Sequence, residues 1–420
     1  MLILSILAAW SINPFSSEPA VRVLIADSLS SSVVTNLEKI GCTLKHEASL
    51  QGPTLGEAIV EFNPEVLVVR STRVEAEHFN AANSLSLVIR AGAGTNTIDL
   101  ATASGRGIYV ANCPGKNAIA VAELAMGHLL NADRRIADNV LSLREHRWAK
   151  KKFSKAKGLY GRTLAVLGGG RIGQELLKRA QGFGMDVRLW SRSLTPERAE
   201  ALGVTFAATP LEACTNADFL SVHLPANEST FHLINESILE ALNPGACVVN
   251  TSRGSLVDSQ ALLAACRAGK LKAGLDVFED EPSAGEAPFS DPLADEENVY
   301  GTHHIGASTD QASEAVGDEV FRIIEEFQSS GLVVNCVNLA KKTQSTHLLV
   351  VRHADEIGVL ALILDALSEA RLNVQKMENI IFAGSGAACA RIQLSAPPPQ
   401  ATLEGIQQSP HILATTVLPL

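Results

Sequence analysis

At 420 residues, 46% of them hydrophobic, the chain is too long for one hydrophobic core and too apolar to be disordered, so we expect two or three domains. Its net charge of −10 and aromatic fraction of 5% argue against nucleic-acid binding, which needs a basic face or stacking platforms. The seven cysteines are scattered and form no CxxC pair, which argues against a zinc site or a disulfide framework and favours a reducing compartment.

The first twenty residues begin with an apolar run that extends through Trp10, and no lysine or arginine precedes Arg22. A membrane-spanning helix needs roughly 20 apolar residues, and a signal peptide normally opens with positive charge. We therefore predict an N-terminal extension over residues 1–20, with organelle targeting left open, on a cytoplasmic protein that does not span a membrane.

From residue 21 to about 340, short β-branched runs alternate with helical patterns such as "SSVVTNLEKIG", which ends at Gly41 as a helix with a glycine cap does. A first series of buried parallel strands is predicted at 21–27, 65–71, 86–94 and 107–114. A second series follows at 163–170, 186–193, 217–225, 246–254 and 272–282. Two such series predict an α/β protein with two parallel-sheet domains, Rossmann-like or flavodoxin-like.

The last 75 residues or so change character and read as strand, helix, two strands joined at Gly384-Ser385-Gly386, helix and strand. The order βαββαβ is the ferredoxin-like arrangement. The predicted parts are the extension, a substrate-binding domain over 21–117 and 306–337, a dinucleotide-binding domain over 118–305, a linker over 338–345 and a C-terminal domain over 346–420.

The stretch "VLGGGRIGQELLKRA" places Gly168-x-Gly170-x-x-Gly173 between an apolar strand and a helix. The first glycine allows the turn, the second lets the backbone approach a pyrophosphate, and the third lets helix and strand pack closely. The amide groups at the start of the helix, which carries Arg171 and Ile172, then face the phosphates. In this strand–loop–helix context we predict dinucleotide binding rather than an ordinary glycine-rich turn.

The end of the following strand selects the cofactor. NAD-binding proteins usually place Asp or Glu there to hold the ribose 2′-hydroxyl, whereas this chain has Ser191 followed by Arg192. A carboxylate would repel a 2′-phosphate, but serine can hydrogen-bond it and arginine can neutralise its charge. The pair favours NADP over NAD, although Arg192 also fits a solvated surface charge.

Three stretches converge at the carboxyl ends of the later strands, where open parallel sheets bind their ligands. They place Arg253 after one strand, Asp276 and the run Glu279-Asp280-Glu281 after the next, and the pair His303-His304 after that. Oxidation of a 2-hydroxy acid needs an arginine for the carboxylate, a histidine to take the hydroxyl proton and a carboxylate to orient the imidazole. No metal is required by this chemistry.

In this combination the chain resembles the D-2-hydroxyacid dehydrogenase family over about residues 21–340. The resemblance implies that Arg253, in N-x-x-R-G, is catalytic. It selects Glu281, which precedes the proline of D-V-F-x-x-E-P, and His304, which precedes I-G-A-S-T. It also implies that Asp276 binds the nicotinamide amide. The remaining predicted cofactor contacts are Pro225, Thr251 and Ser252. This chain departs from the family at His303, where proline is usual, and at Ser191, where aspartate is common.

Further segments resemble the phosphoglycerate dehydrogenase branch of that family, which implies oxidation of 3-phosphoglycerate to 3-phosphohydroxypyruvate in serine biosynthesis. The implied substrate contacts are Arg70, Ala91, Gly92, Ala93, Gly94, Lys150 and Lys151. Lysines suit a phosphate of charge near −2, but a run of lysines equally fits a solvated helix face. Two alternatives stay open: an NADPH-dependent glyoxylate/hydroxypyruvate reductase, and a nucleotide-sensing corepressor on the same scaffold.

The C-terminal unit resembles an ACT regulatory domain, which implies a homodimer or homotetramer and an L-serine effector. His353 and Asn373 match positions that serine-sensing members use, while Asp355 replaces the usual asparagine. An aspartate accepts hydrogen bonds from an ammonium group but repels a carboxylate. Serine binding and a purely oligomerising role are both consistent with these residues.

Overall fold

The computed structural model describes residues 20–282, 286–340, 343–384 and 386–420, which divide into two compact units, Met1–Asn338 and Leu339–Leu420. Residues 1–19 of the predicted extension, residues 341 and 342 of the predicted linker and Ser385 of the predicted turn lie outside this part of the chain. Among the helices in the described ranges, none is both long and apolar enough to cross a membrane. The predicted domain boundaries inside the larger unit stay predictions.

The first sheet of the larger unit has five parallel strands in the order β2-β1-β3-β4-β5. They are β1 (Arg22–Ile25), β2 (Thr43–His46), β3 (Val66–Val69), β4 (Leu87–Arg90) and β5 (Tyr109–Asn112). The four strands predicted from buried aliphatic runs are confirmed, because a parallel sheet covered on both faces needs such runs. Strand β2 is not among the predicted strands, because it lies at the edge of the sheet and its sequence TLKH has a single aliphatic residue.

The helices among these strands are α1 (Ser31–Lys39), α2 (Pro53–Phe62), α3 (Ala76–Ala81) and α4 (Leu100–Gly105). The glycine stop predicted for α1 is confirmed: the helix ends at Lys39, and Gly41 follows with a φ of 87°. In that left-handed region a side chain would be strained, so glycine is the residue that ends the helix with least cost.

The second sheet has seven parallel strands in the order β12-β11-β10-β9-β6-β7-β8. They are β6 (Thr163–Leu167), β7 (Asp186–Trp190), β8 (Thr205–Phe206), β9 (Phe219–Val222), β10 (Ala246–Asn250), β11 (Leu271–Leu275) and β12 (Val299–Gly301). The strand order reverses between β6 and β9, which is where doubly wound sheets open a ligand crevice. The strands missed by sequence analysis, β8 and β12, are only two and three residues long.

The α-helices that accompany this sheet in the described residues are α5 (Ala118–Arg134), α6 (Ile136–Arg144), α7 (Lys150–Phe153), α8 (Arg171–Gly182), α9 (Pro196–Ala201), α10 (Pro210–Cys214), α11 (Glu236–Glu240) and α12 (Ser259–Arg267). The long helix α5 packs against α8, with Ala125 and Leu129 in one buried cluster with Leu176 and Ala180. Small residues on α5 permit this close approach. The packing fixes α5 beside the strand ends that carry the candidate site.

The next helix, α13 (Asp310–Ser330), returns the chain to the first sheet, where Val320 and Ile323 share a core with Val33 and Leu37 of α1. Its buried Glu319 contacts Lys116, just before α5, at 3.0 Å and also pairs with Arg322. The hydrogen bond from Arg322, with help from Lys116, lowers the pKa of Glu319 to about 2. This ion-pair cluster braces the place where the chain passes between the two sheets.

The smaller unit is a four-stranded antiparallel sheet in the order β14-β15-β13-β16. Its elements are β13 (His347–Ala354), α14 (Val359–Glu369), β14 (Val374–Ile381), β15 (Ala387–Leu394), α15 (Gln400–Gln407) and β16 (Ile412–Pro419). Val359, Ile363 and Leu367 recur at helical spacing on α14 and are buried against Leu349 and Val351 of β13. The predicted βαββαβ order, and with it the fold class, is confirmed.

Candidate active site

The glycine-rich loop lies between β6 and α8, as the sequence predicts, and the structure shows why two of its glycines are required. A Cβ atom on Gly168, whose φ is 114°, would lie 2.1 Å from the carbonyl oxygen of His223. A Cβ atom on Gly173 would lie 2.0 Å from the carbonyl oxygen of Gly168. By contrast, a Cβ atom on Gly170 would have no neighbour within 4 Å. The loop therefore presents open backbone at the start of α8, where amide groups attract phosphate.

In front of this loop lies a cleft of about 800 Å³. Residues that follow strands of both sheets line it. Nine predicted site residues are among them: Ala93, Gly94, Ile172, Pro225, Thr251, Ser252, Arg253, Asp276 and His304. These residues are far apart in the sequence, but they meet here because the carboxyl ends of parallel strands lie at the same edge of a sheet.

His304 and Glu281 form a hydrogen-bonded pair at this cleft, with His304 Nδ1 2.7 Å from Glu281 Oε2. A carboxylate can only accept, so Nδ1 carries the proton and the other ring nitrogen, Nε2, is left to accept one. Burial alone would raise the pKa of Glu281, but the hydrogen bond and charge of His304 outweigh it and hold that pKa below its usual range. The alternative carboxylate, Glu279, is engaged elsewhere, by His232 and Ser259.

The other histidine of the doublet, His303, lines a second hollow of about 590 Å³, which Asp276, Glu281 and His304 line as well. Its side chain is exposed and forms no hydrogen bond or ion pair within the described ranges. The geometry thus separates the two histidines: His304 has a carboxylate partner and faces the cleft, whereas His303 does not line it.

Asp276 is 1% exposed and accepts hydrogen bonds from Thr302 Oγ1 at 2.6 Å and from the amides of Ile305 and Gly306 at 2.8 Å each. These contacts attach the segment that carries His304 to the end of β11. Contact between Asp276 and a nicotinamide amide stays a prediction. In the structure the carboxylate holds the segment 302–306 in place.

Arg90, the last residue of β4, lines the cleft but is not among the site residues predicted from the sequence. Burial, followed by the charges of Arg253 and Arg70, lowers the pKa of Arg90, so three guanidinium groups lie close together. The Nε atom of Arg90 is buried and has no hydrogen-bond partner among the described residues. Gly92 accommodates this side chain, because a Cβ atom there would lie 1.6 Å from Arg90 Nη1. The rule that located Arg253, a cation at a strand end, also applies to Arg90.

Three further polar atoms that line the cleft are buried without a partner in the described structure: Asn117 Oδ1, His223 Nδ1 and Thr251 Oγ1. Unpaired buried polar atoms destabilise a protein, so such a group fits a polar ligand. His223, another residue that sequence analysis misses, contacts Ser221 Oγ through Nε2 at 2.9 Å. Burial lowers the pKa of His223 to about 4, so its ring is neutral at pH 7.

Several predicted site residues do not line the cleft. Lys150 and Lys151 belong to α7, and Lys150 lines a separate hollow with Trp148 and Phe153. The structure of one chain therefore does not bring this lysine run to the arginines, because α7 follows the exposed helix α6 rather than a strand end. Arg70 does not line the cleft, but it lies close enough for its charge to lower the pKa of Arg90. Its backbone amide donates a hydrogen bond to Asp27 at 2.6 Å.

The cofactor-selecting residues Ser191 and Arg192 follow β7 next to the glycine loop. A Cβ atom on Gly169 would lie 3.3 Å from that of Ser191, and Arg192 is exposed and forms no ion pair among the described residues. Arg171, by contrast, is tied back: its Nη1 donates to the carbonyl oxygen of Pro114 at 2.7 Å.

In the smaller unit, His353, which the sequence predicts to contact an effector, is buried, and the effector contact stays a prediction. Its ring is 1% exposed, with Nδ1 2.7 Å from the carbonyl oxygen of Ala354 and Nε2 3.1 Å from Asn379 Oδ1. Both nitrogens are thus occupied inside the unit because His353 points inward from β13. Asp355 and Asn373 are exposed.

The profile of the D-isomer specific 2-hydroxyacid dehydrogenase NAD-binding domain matches residues 126–306. D-3-phosphoglycerate dehydrogenase of Methanocaldococcus jannaschii is 39% identical over 76% of this chain, a match that covers 60% of its own length. Hydroxypyruvate reductase of Thermotoga maritima is 40% identical over 71% of this chain and 95% of its own length. A NADPH-dependent glyoxylate/hydroxypyruvate reductase of Sinorhizobium meliloti, solved with NADP and malonate, has a TM-score of 0.63 and 28% identity over 76% of this chain and 96% of its own.

Proposed function

We propose that this chain, which belongs to the D-isomer specific 2-hydroxyacid dehydrogenase family, oxidises 3-phosphoglycerate to 3-phosphohydroxypyruvate with a nicotinamide cofactor, the first step of L-serine biosynthesis. The chain spans 60% of the length of the archaeal phosphoglycerate dehydrogenase it matches. The observation that carries the proposal is the group of three arginines beside the histidine–glutamate pair.

The proton transfer follows from the geometry of the pair. Because Glu281 holds the proton on Nδ1 of His304, Nε2 can accept the proton of the substrate hydroxyl group. The negative charge of Glu281 then stabilises the imidazolium that forms. Arg253 lines the same cleft and suits the substrate carboxylate, which a guanidinium can hold through two parallel hydrogen bonds.

The cofactor contacts fit a dinucleotide. The glycine loop offers open backbone at a helix start, and the unpaired Oγ1 of Thr251 and Nδ1 of His223 offer further polar contacts. When bound, the nicotinamide supplies the hydride acceptor. Ser191 and Arg192 support NADP, as does the structural relative solved with that cofactor, because no carboxylate stands where it would repel a 2′-phosphate.

The charge of the cleft supports a phosphorylated substrate. Within the described part of the chain, the buried Nε of Arg90 has no hydrogen-bond partner, and two further guanidinium groups raise the local positive charge. Such a group is best stabilised by a multiply charged anion. A single carboxylate, bound by Arg253, would leave Arg90 and Arg70 without a partner anion from the substrate.

Reduction of hydroxypyruvate or glyoxylate is the second candidate. It is supported by the relative from Thermotoga maritima and by the position of the lysine run away from the cleft. A binding-only corepressor would not need the hydrogen-bonded pair of His304 and Glu281, so this alternative has less support.

Assembly and regulation extend the proposal. Large apolar side chains on and after α6 are 40–83% exposed (Ile136, Val140, Leu141, Leu143 and Trp148), which supports a homodimer or homotetramer. The predicted L-serine contacts in the smaller unit are His353, Asp355 and Asn373; Asp355 and Asn373 are exposed, whereas His353 is buried.

Steady-state kinetics with 3-phosphoglycerate and D-glycerate, each with NADP⁺ and NAD⁺, test the proposal. We expect kcat/KM to be highest with 3-phosphoglycerate and NADP⁺. Replacement of Arg90 by Leu should lower kcat/KM for the phosphorylated substrate by about 10- to 100-fold, as loss of a charge-assisted hydrogen bond does, and affect D-glycerate much less.

Arg73→Leu is the matched control, because it removes an equal charge from the exposed loop after β3. It should leave both substrates within about twofold of the wild-type values. A wild-type preference for D-glycerate, or equal losses for both substrates in the Arg90 variant, would favour the reductase.

A further inference from the structure

The backbone of His304 adopts a left-handed conformation, with a φ of 52°. A residue with a side chain is strained there and keeps this geometry only where its surroundings hold it. Asp276 fixes this backbone by accepting hydrogen bonds from His304 and from the two residues that follow it. Its carbonyl oxygen accepts from the amide of His304 at 2.8 Å, and its carboxylate accepts from the amides of Ile305 and Gly306 at 2.8 Å each.

The carboxylate of Asp276 has one more donor, the hydroxyl group of Thr302, at 2.6 Å. Because that hydroxyl has a single proton, which it gives to a group that can only accept, Thr302 Oγ1 must act as acceptor in its other contact. That contact is Nε2 of His128, at 3.2 Å. The direction of the chain is therefore settled: His128 donates to Thr302, and Thr302 donates to Asp276.

His128 lies on the buried face of α5, three residues after Ala125, and is 4% exposed. Burial lowers its pKa, so the ring is neutral at pH 7, with one nitrogen that donates. Gly274 of β11 makes room for it, since a Cβ atom there would lie 2.7 Å from the Cβ atom of His128. The imidazole thus reaches Thr302 across 174 positions of sequence.

We propose that His128 is a positioning residue for the acid–base histidine: through Thr302 it fixes the carboxylate of Asp276, which in turn holds His304 in its strained conformation against Glu281. The inference rests on the proposed role of His304. A hydrophobic residue at position 128 would leave the Thr302 hydroxyl free to rotate away from Asp276. The segment 302–306 would then hold His304 less firmly towards the cleft.

The test replaces His128 by Leu and Thr302 by Val, singly and together. We expect His128→Leu to lower kcat about five- to tenfold, the loss expected for one hydrogen bond, with the dissociation constant of the reduced cofactor changed by less than about twofold. The double variant should be no slower than Thr302→Val, because both changes break the same chain. His128→Gln, which keeps a donor, and Thr302→Ser, which keeps the hydroxyl, should restore most of the rate.

Amide hydrogen exchange measures how firmly the segment 302–306 is held, and it needs no substrate. In His128→Leu the peptide that covers 302–306 should exchange faster, while peptides from β4 and β6 keep the wild-type rate. Met126→Leu, a neighbouring buried change on α5 without a polar contact, is the control and should change neither rate nor exchange.

Unchanged exchange at 302–306, faster exchange throughout the larger unit, or faster local exchange with an unchanged kcat would each overturn the positioning role. If the wild-type protein turns over none of the 2-hydroxy or 2-oxo acids tested, the proposed function fails, whereas the exchange comparison still decides whether His128 holds the segment.

Discussion

The segment after β12 in the larger unit and strand β13 in the smaller unit each carry a histidine with a predicted function: acid–base catalysis for His304 and effector binding for His353. The side chain of His304 is 47% exposed at the cleft and pairs with a carboxylate through one nitrogen, so its other nitrogen can exchange a proton. His353 is 1% exposed and both its nitrogens contact neighbouring oxygen atoms. The two histidines thus differ in what their geometry allows: His304 has one oriented nitrogen and one that can accept a proton, as a general base needs, whereas both nitrogens of His353 are occupied.

Replacement of His304 by Gln should have the largest effect. We expect kcat to fall by about a thousandfold, within the range that general acid–base catalysis contributes, because glutamine cannot take the hydroxyl proton. Steady-state kinetics and cofactor fluorescence titration measure this, and the cofactor dissociation constant should change by less than about twofold. An activity close to the wild-type value would show that another group is the base.

Glu281→Gln, which changes the partner of His304, should lower kcat less than His304→Gln does. The amide still contacts the ring but no longer stabilises an imidazolium, so we expect kcat to fall by about 10- to 100-fold. Glu279→Gln is the matched control, because Glu279 pairs with His232 instead and should leave kcat within about twofold. If the two variants are equally slow, the geometry does not select Glu281.

The same pair predicts a pH dependence of stability. The net effect of burial and of His304 is a pKa of Glu281 below its unfolded value of 4.5. The ionised carboxylate therefore stabilises the folded state fully above that value, and the stabilisation is lost as the pH falls through the lowered pKa. In urea unfolding, the wild-type advantage over Glu281→Gln should be present at about pH 6 and shrink towards about pH 3. A difference that does not vary with pH would contradict the pairing.

His353→Leu should have the smallest effect on catalysis. We expect the free energy of unfolding of the smaller unit to fall by about 1–2 kcal/mol, because two hydrogen bonds of a buried ring are lost, while kcat stays within about twofold. Thermal unfolding and kinetics measure both. Asp355→Ala, at an exposed position of the same unit, serves as control and should leave stability unchanged. A loss of activity in His353→Leu without a loss of stability would show that His353 has a functional role rather than a structural one.

Much of the fold was predictable because its signals are local. The aliphatic runs of β3 and β10 report strands buried on both faces, and the spacing of apolar residues on α14 reports its inward face. Short edge strands such as β2 and β8 carry too few residues, or too mixed a pattern, to be recognised.

The candidate site was predictable in part. The order of motifs identified Arg253, Glu281 and His304, and the structure brings Arg253 and His304 to one cleft and pairs His304 with Glu281. Arg90 and His223 were missed because a single arginine or histidine at a strand end has no distinguishing pattern. The lysine run was assigned to the site from a resemblance in sequence, supported by its charge, and neither says which way a helix faces.

By itself, the sequence determined the α/β architecture, the glycine loop and the family, because backbone preference, hydrophobic periodicity and short motifs depend on neighbours within a few residues. Only the tertiary structure decided which side chains meet. Glu281 and His304 are 23 positions apart and His128 and Thr302 are 174 apart. Such contacts depend on strand order and helix packing, which no local pattern encodes, and they determine which histidine is buried, which is strained and which can accept a proton.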